Sequence, residues 1–132
     1  MAVKPESTFI RQIHRLLPMS VYRMKNNNPY VAGIPDCYYS GAGGDLWVEY
    51  KFVAKLPVRA PVKIELSALQ SSWLYGRADE GRNVAVIVGS PEGAVIFRVE
   101  DLGPDVTADQ FRAAMTPRQE VAKWITEQTM KG

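Results

Sequence analysis

A chain of 132 residues with 46% hydrophobic and 23% charged residues has the make-up of one globular domain, short for two and too apolar for a disordered segment. Its 16 basic and 14 acidic residues leave a formal charge of +2, which permits a phosphate-backbone partner without announcing one. One cysteine excludes an internal disulfide and a cysteine-built zinc centre, no apolar run approaches the roughly 20 residues of a bilayer span, and "MAVKPESTFIRQ" does not read as a secretion signal, so an intracellular, cytoplasmic setting is expected.

In chain order, "PESTFIRQIHRLL" places Phe9, Ile10, Ile13, Leu16 and Leu17 at helical spacing behind Pro5, and Pro18 stops the helix. "SVYRMK" alternates as a strand does, and "NNNPYVAGIP" carries turn chemistry. "DCYYS", "GAGG" and "DLWVEYKFV" predict a hairpin. "AKLPVRAPVKIEL", with two prolines and several basic residues, reads as a long connection of the kind that is functional or mobile. "SALQSSWLYGRADEG" predicts a helix capped by Ser67, with Leu69, Trp73 and Leu74 on its apolar side and Gly81 ending it. "NVAVIVGS" and "GAVIFRV" are strands, the first apolar enough to be buried on both faces. In the tail, "TADQFRAAM" and "TPRQEVAKWITEQT" predict two short helices, the second started by Thr116, Pro117 and Gln119. One α/β domain over 1–132 is the economical organisation.

The hairpin carries the chemistry. Alternation puts Trp47, Glu49 and Lys51 on one face of the second arm and Val48, Tyr50 and Phe52 on the other. Antiparallel pairing brings Asp36, which opens the first arm, level with Glu49 or Lys51. Two carboxylates and a lysine at one spot suit phosphodiester hydrolysis: hard oxygen ligands favour Mg²⁺, and a lysine orients water or offsets charge at phosphorus. The plainer alternative is a solvent-exposed Glu49–Lys51 pair, worth little. Glu6 is either a first-turn acid favoured by the helix dipole or a functional carboxylate, since it precedes Phe9 and Ile10 on the core-facing stripe. Gln70, third after Ser67, completes a capping box without any catalytic role. His14 reads as a surface or interface residue, Cys37 as small apolar filling on the face opposite Asp36, and Trp73 and Trp124 as core or interface anchors rather than base-stacking platforms.

Ile34-Pro35-Asp36, twelve intervening residues, then Glu49-Tyr50-Lys51 resembles the P-D…(D/E)-x-K signature of the PD-(D/E)XK nuclease superfamily. With Glu6 upstream and "LSALQ" ending in Gln70 downstream, the chain is similar to the VRR-NUC branch and to phage or archaeal Holliday-junction resolvases. The likeness spans about residues 5–97, and the tail at about 106–130 lies outside it. The resemblance implies a restriction-endonuclease-like core, a central mixed β-sheet flanked by α-helices. It implies Asp36 and Glu49 as metal ligands, the Tyr50 backbone carbonyl as a further ligand, and Lys51 as the catalytic lysine. Glu6 would be an additional ligand or act through water, and Gln70 would touch the site or the DNA backbone. The cofactor would be Mg²⁺, with Mn²⁺ able to substitute.

The expectation is therefore a Mg²⁺-dependent DNA endonuclease selective for branched DNA such as a Holliday junction, with Lys55, Arg59, Lys63, Arg11, Arg15, Arg23 and Lys25 as phosphate contacts. Its rivals are a sequence-specific cutter of restriction or homing type and a catalytically idle DNA-binding module of the same fold. Cutting two strands with so small a domain would require a homodimer, for which the tail helices and Trp124 are candidates, and the resemblance to phage resolvases implies a phage origin as one setting.

Overall fold

The computed structural model describes residues 4–26, 32–103 and 106–131. Half of the predicted loop at 26–35 lies outside them, at 27–31. The first helix, α1 (Pro5–Leu16), has Pro5 in its first turn and buries Phe9, Ile10 and Ile13. Strand β1 (Tyr22–Lys25) follows, then the hairpin β2 (Cys37–Gly41) and β3 (Gly44–Phe52), closed by Gly41 opposite Gly44. Helix α2 (Ala68–Asp79) leads to β4 (Val84–Gly89) and β5 (Ala94–Arg98), and α3 (Ala108–Ala114) and α4 (Arg118–Met130) complete the chain.

The five strands lie in the order β1-β2-β3-β4-β5, all neighbours antiparallel except β3 and β4. A parallel pair needs a crossover, and here α2 supplies it. The sheet is thus mixed, with helices on both faces. One core sits between the sheet and α1 and α4, where Phe9, Ile13, Leu46, Val48, Tyr50, Val121 and Ile125 are buried. The other joins Leu56, Val62, Leu74, Val86, Val88 and Phe111. Strand β4 is buried along its whole length, as its unbroken apolar run predicts.

Three expectations need correction. The connection at 53–66 has no regular element, yet Leu56 and Val62 are buried in the second core and Val62 N–H donates to the Val106 carbonyl, so apolar anchors pin it. Leu69 is 58% exposed, leaving Leu74 as the fully buried side chain of α2. Thr116 does not cap α4; its backbone exchanges hydrogen bonds with Ala94, extending β5's ladder, and α4 starts from Pro117 without a side-chain cap. Helix α4 lays Val121, Ala122 and Ile125 into the first core against α1 and the hairpin. Among the described residues, no helix is long and apolar enough to cross a membrane.

Candidate active site

At the end of β3, three successive residues take on different tasks. Glu49 and Lys51 project to the α2 side, while Tyr50 turns into the opposite core. The hairpin register pairs Cys37 with Val48, which puts Asp36 just beyond β2 at the level of Glu49. There an Asp36 carboxylate oxygen, Oδ2, accepts the Tyr50 backbone N–H at 2.9 Å. Asp36 is thereby tied to the backbone of the strand that carries the other two residues.

Lys51 Nζ lies 3.5 Å from Glu49 Oε2 and donates to Gln70 Oε1 at 3.1 Å. Gln70 Nε2 in turn donates to Glu49 Oε2 at 3.1 Å. The surface-pair alternative does not describe this arrangement, because Glu49 is only 3% exposed. Gln70 also forms the predicted capping box: its Oε1 accepts from Ser67 N–H at 2.9 Å, and Ser67 Oγ accepts from Gln70 N–H at 3.1 Å. One amide therefore closes the first turn of α2 and links the acid and the lysine of β3.

Burial first, and then the neighbouring Asp36, push the Glu49 carboxyl up to about 8, against the opposing pull of Lys51. Glu6 is half-buried and also shifted upward, by burial and then by Asp36, with Lys51, Lys25 and Lys4 pulling it back. Glu6 and Lys51 line a cleft of about 310 Å³ together with Phe52, Val53, Lys63 and Glu65. Glu6 thus belongs to the site's electrostatics from the other side of the sheet, delivered by the first turn of α1.

Among the described residues, no three His, Cys, Asp or Glu side chains converge closely enough to cage a metal by themselves. The donor set beside Lys51 is smaller and harder, the adjoining Asp36 and Glu49 carboxylates. That set suits Mg²⁺, which keeps several waters and takes one or two carboxylates. The raised Glu49 agrees with this fit, because a buried acid beside a second acid is short of positive charge.

The predicted phosphate contacts separate. Lys63 lines the cleft, and Lys25 is close enough to act on Glu6. Lys55, Arg59, Arg11 and Arg15 are exposed. Arg15, nine residues after Glu6 and so about 13 Å further along α1, lines a separate depression with Gln12 and Arg118. Arg23 is corrected outright: its guanidinium donates to the carbonyls of His14 at 2.5 Å, Pro18 at 2.7 Å and Val21 at 3.0 Å, so it holds the end of α1 rather than a phosphate.

His14 is also not a surface residue. Its Nε2 pairs with Tyr39 Oη at 2.8 Å, and Tyr39 Oη pairs with Tyr50 Oη at 2.6 Å, a polar chain running beneath the site strand. Burial, then Arg23 and Lys25, lower the imidazole to about 4, so it is neutral. Cys37 packs as expected, fully buried, its thiol pushed up by burial to about 12. The sequence signal for the polar chain was the same period of two that separated Tyr50 from Glu49. Gly33 also went unused. Its φ is +89° and a Cβ there would meet the Leu69 carbonyl oxygen at 2.8 Å, so only glycine lets the strand-entry loop pass the first turn of α2.

No family model matches the chain, and no curated protein is similar to it in sequence. Among solved structures it is similar to Archaeoglobus fulgidus Hjc, a Holliday junction resolvase from an archaeal hyperthermophile, with a TM-score of 0.59 and 17% sequence identity over 91% of this chain and 97% of that one. At that identity the likeness is one of fold, the mixed sheet with flanking helices of the restriction-endonuclease-like class.

Proposed function

We propose that the protein is a Mg²⁺-dependent endodeoxyribonuclease that hydrolyses phosphodiester bonds in branched DNA, with Asp36, Glu49 and Lys51 as its catalytic residues. The observation that carries this reading is the convergence of these three side chains and Gln70 at one end of β3. The fold shared with a Holliday junction resolvase supports the choice of branched DNA.

Asp36 and Glu49 would hold Mg²⁺ together with the Tyr50 carbonyl, and a divalent ion bound there offsets charge on the phosphoryl oxygens and acidifies bound water. The chain's own groups do the positioning. Asp36 is held beside Glu49 by its bond to Tyr50 N–H. Gln70 restrains the Lys51 ammonium beside Glu49, so the cation meets the scissile phosphate at a defined place and orients the attacking water. Lys63 at the cleft and Lys25 nearby engage the flanking backbone without reading bases. A homodimer supplies the second active site for paired cuts, acting inside the cell that holds the DNA.

The test is cleavage of a four-way junction, a flap, a nicked duplex and an intact duplex with Mg²⁺. The parent protein cuts branched substrates in preference to the duplex. Lys51→Ala binds the junction as the parent does but cuts at least about 100-fold more slowly, the lower range for a positioned proton-handling group. Asp36→Asn also abolishes the rise in thermal midpoint that Mg²⁺ gives the parent, because that rise reports ion binding to the folded chain. A parent that cuts nothing with Mg²⁺ or Mn²⁺ yet binds DNA is the idle module instead.

A further inference from the structure

On the face that carries Glu49 and Lys51, strands β1 to β3 continue away from the site as a row of aromatic rings. Register puts Met24 opposite Tyr38 and Tyr38 opposite Trp47, so these side chains share that face, with Tyr22 one step further along β1. Ring centroids are 6.3 Å apart for Tyr22 and Tyr38, 4.8 Å for Tyr38 and Trp47, and 5.3 Å for Trp47 and Trp73 of α2. The rings meet at 50–63°, so none closes its neighbour's face by parallel stacking. Arg77 sits 5.8 Å over Trp73 and puts a cation at the far end.

At one end α2 covers the row, since Trp73 meets Trp47 and both pack against the second core. At the other end Tyr22 and Met24 of β1 remain 55% and 40% exposed, and Tyr38 between them and Trp47 is half-buried. An apolar sheet edge left open in this way on a small domain marks an interaction surface. Its occupant follows from where the row leads. Tyr38 is two residues from Asp36 and Trp47 two residues from Glu49, about 7 Å along each strand. A protein docked here would obstruct the approach to the acids, whereas a nucleic-acid strand entering the cleft from this side must cross the rings.

We propose that this face is a stacking platform for unpaired bases, so that the substrate is DNA with single-stranded nucleotides next to a branch point rather than a fully paired junction. The inference rests on the nuclease reading for its location but not for its test. Aromatic rings stack on any base and so select unpaired over paired DNA without reading sequence. Asp45, on the same face near the hairpin turn, bounds the platform with a charge that repels phosphate.

Binding is measured in EDTA, where nothing is cut, for a duplex, a fully paired four-way junction and the same junction carrying a single-stranded flap. The full chain binds the flap-bearing junction most tightly, with quenching of tryptophan fluorescence. In Tyr38→Ala and Trp47→Leu the ratio of flap to duplex affinity falls roughly five- to hundredfold, the range for losing one stacked base. Circular dichroism checks folding; if Trp47→Leu fails to fold, the exposed Tyr22→Ser takes its place. An unchanged ratio, or a parent without preference for unpaired nucleotides, overturns the platform. So does a loss of self-association in the variants with DNA binding intact, which identifies the face as an interface between copies. A parent that prefers the flap but never cuts removes the nuclease reading and leaves the platform standing.

Discussion

Gln70 shows how one residue can be under-read from sequence. Three positions after a serine, it announces a helix start, and that explanation is complete in itself. Only the packing of α2 beside β3 reveals that the capping oxygen also accepts from Lys51 and that the amide nitrogen serves Glu49. Gln70→Ala should therefore do two separable things. Loss of the side chain's part in the cap lowers stability by about 1 kcal/mol in urea denaturation. Loss of the restraint on Lys51 slows cutting of saturating branched DNA far more than that loss of stability accounts for, with little change in DNA affinity. Asp36, Glu49 and Lys51 were legible because strand alternation and hairpin register are local rules. Arg23 was not, because nothing in its neighbourhood announces that three carbonyls at the end of α1 are waiting for a donor.

Elements whose partners are adjacent in sequence were readable to within a residue of their ends, the β2–β3 hairpin above all, where Gly41 and Gly44 pair at the turn between alternating strands. Those whose partners are distant were not. Thr116 looks like a cap from its neighbours Pro117 and Gln119, but Ala94 claims its backbone first. The proline-containing segment before α2 looks solvated because its apolar residues have no period, yet Leu56 is nearly fully buried. Leu56→Ala should cost about 2–5 kcal/mol, as truncation of a core leucine does. Equilibrium unfolding checks this, and a cost near zero would mean that the segment is as loose as its composition suggests. The helix α4 was visible as a helix, but the sequence did not disclose that its Val121, Ala122 and Ile125 complete the core behind the hairpin.

For the molecule as a whole, the mixed sheet was expected from the family resemblance, whereas its two cores, and the polar chain in the first of them, depended on how the helices lie across the sheet. That chain makes stability depend on pH. The His14 imidazole is lowered to about 4 in the folded protein, against 6.5 when free. The unfolded chain therefore takes up the proton first, and the contribution of neutral His14 is intact above 6.5 and is lost as pH falls toward 4. The expected thermal midpoint falls across that window in the parent and falls less in His14→Gln, which carries no titrating ring. The end of α4 has a different consequence. The Thr129 carbonyl accepts the N–H of Gly43 in the hairpin turn at 2.7 Å, and a Cβ on Gly41 would meet that same oxygen at 2.7 Å. The strands bearing the acids are thus braced by a helix synthesised some eighty residues after them. Nascent chains stalled before Arg118 lack that brace and should leave the hairpin open to protease.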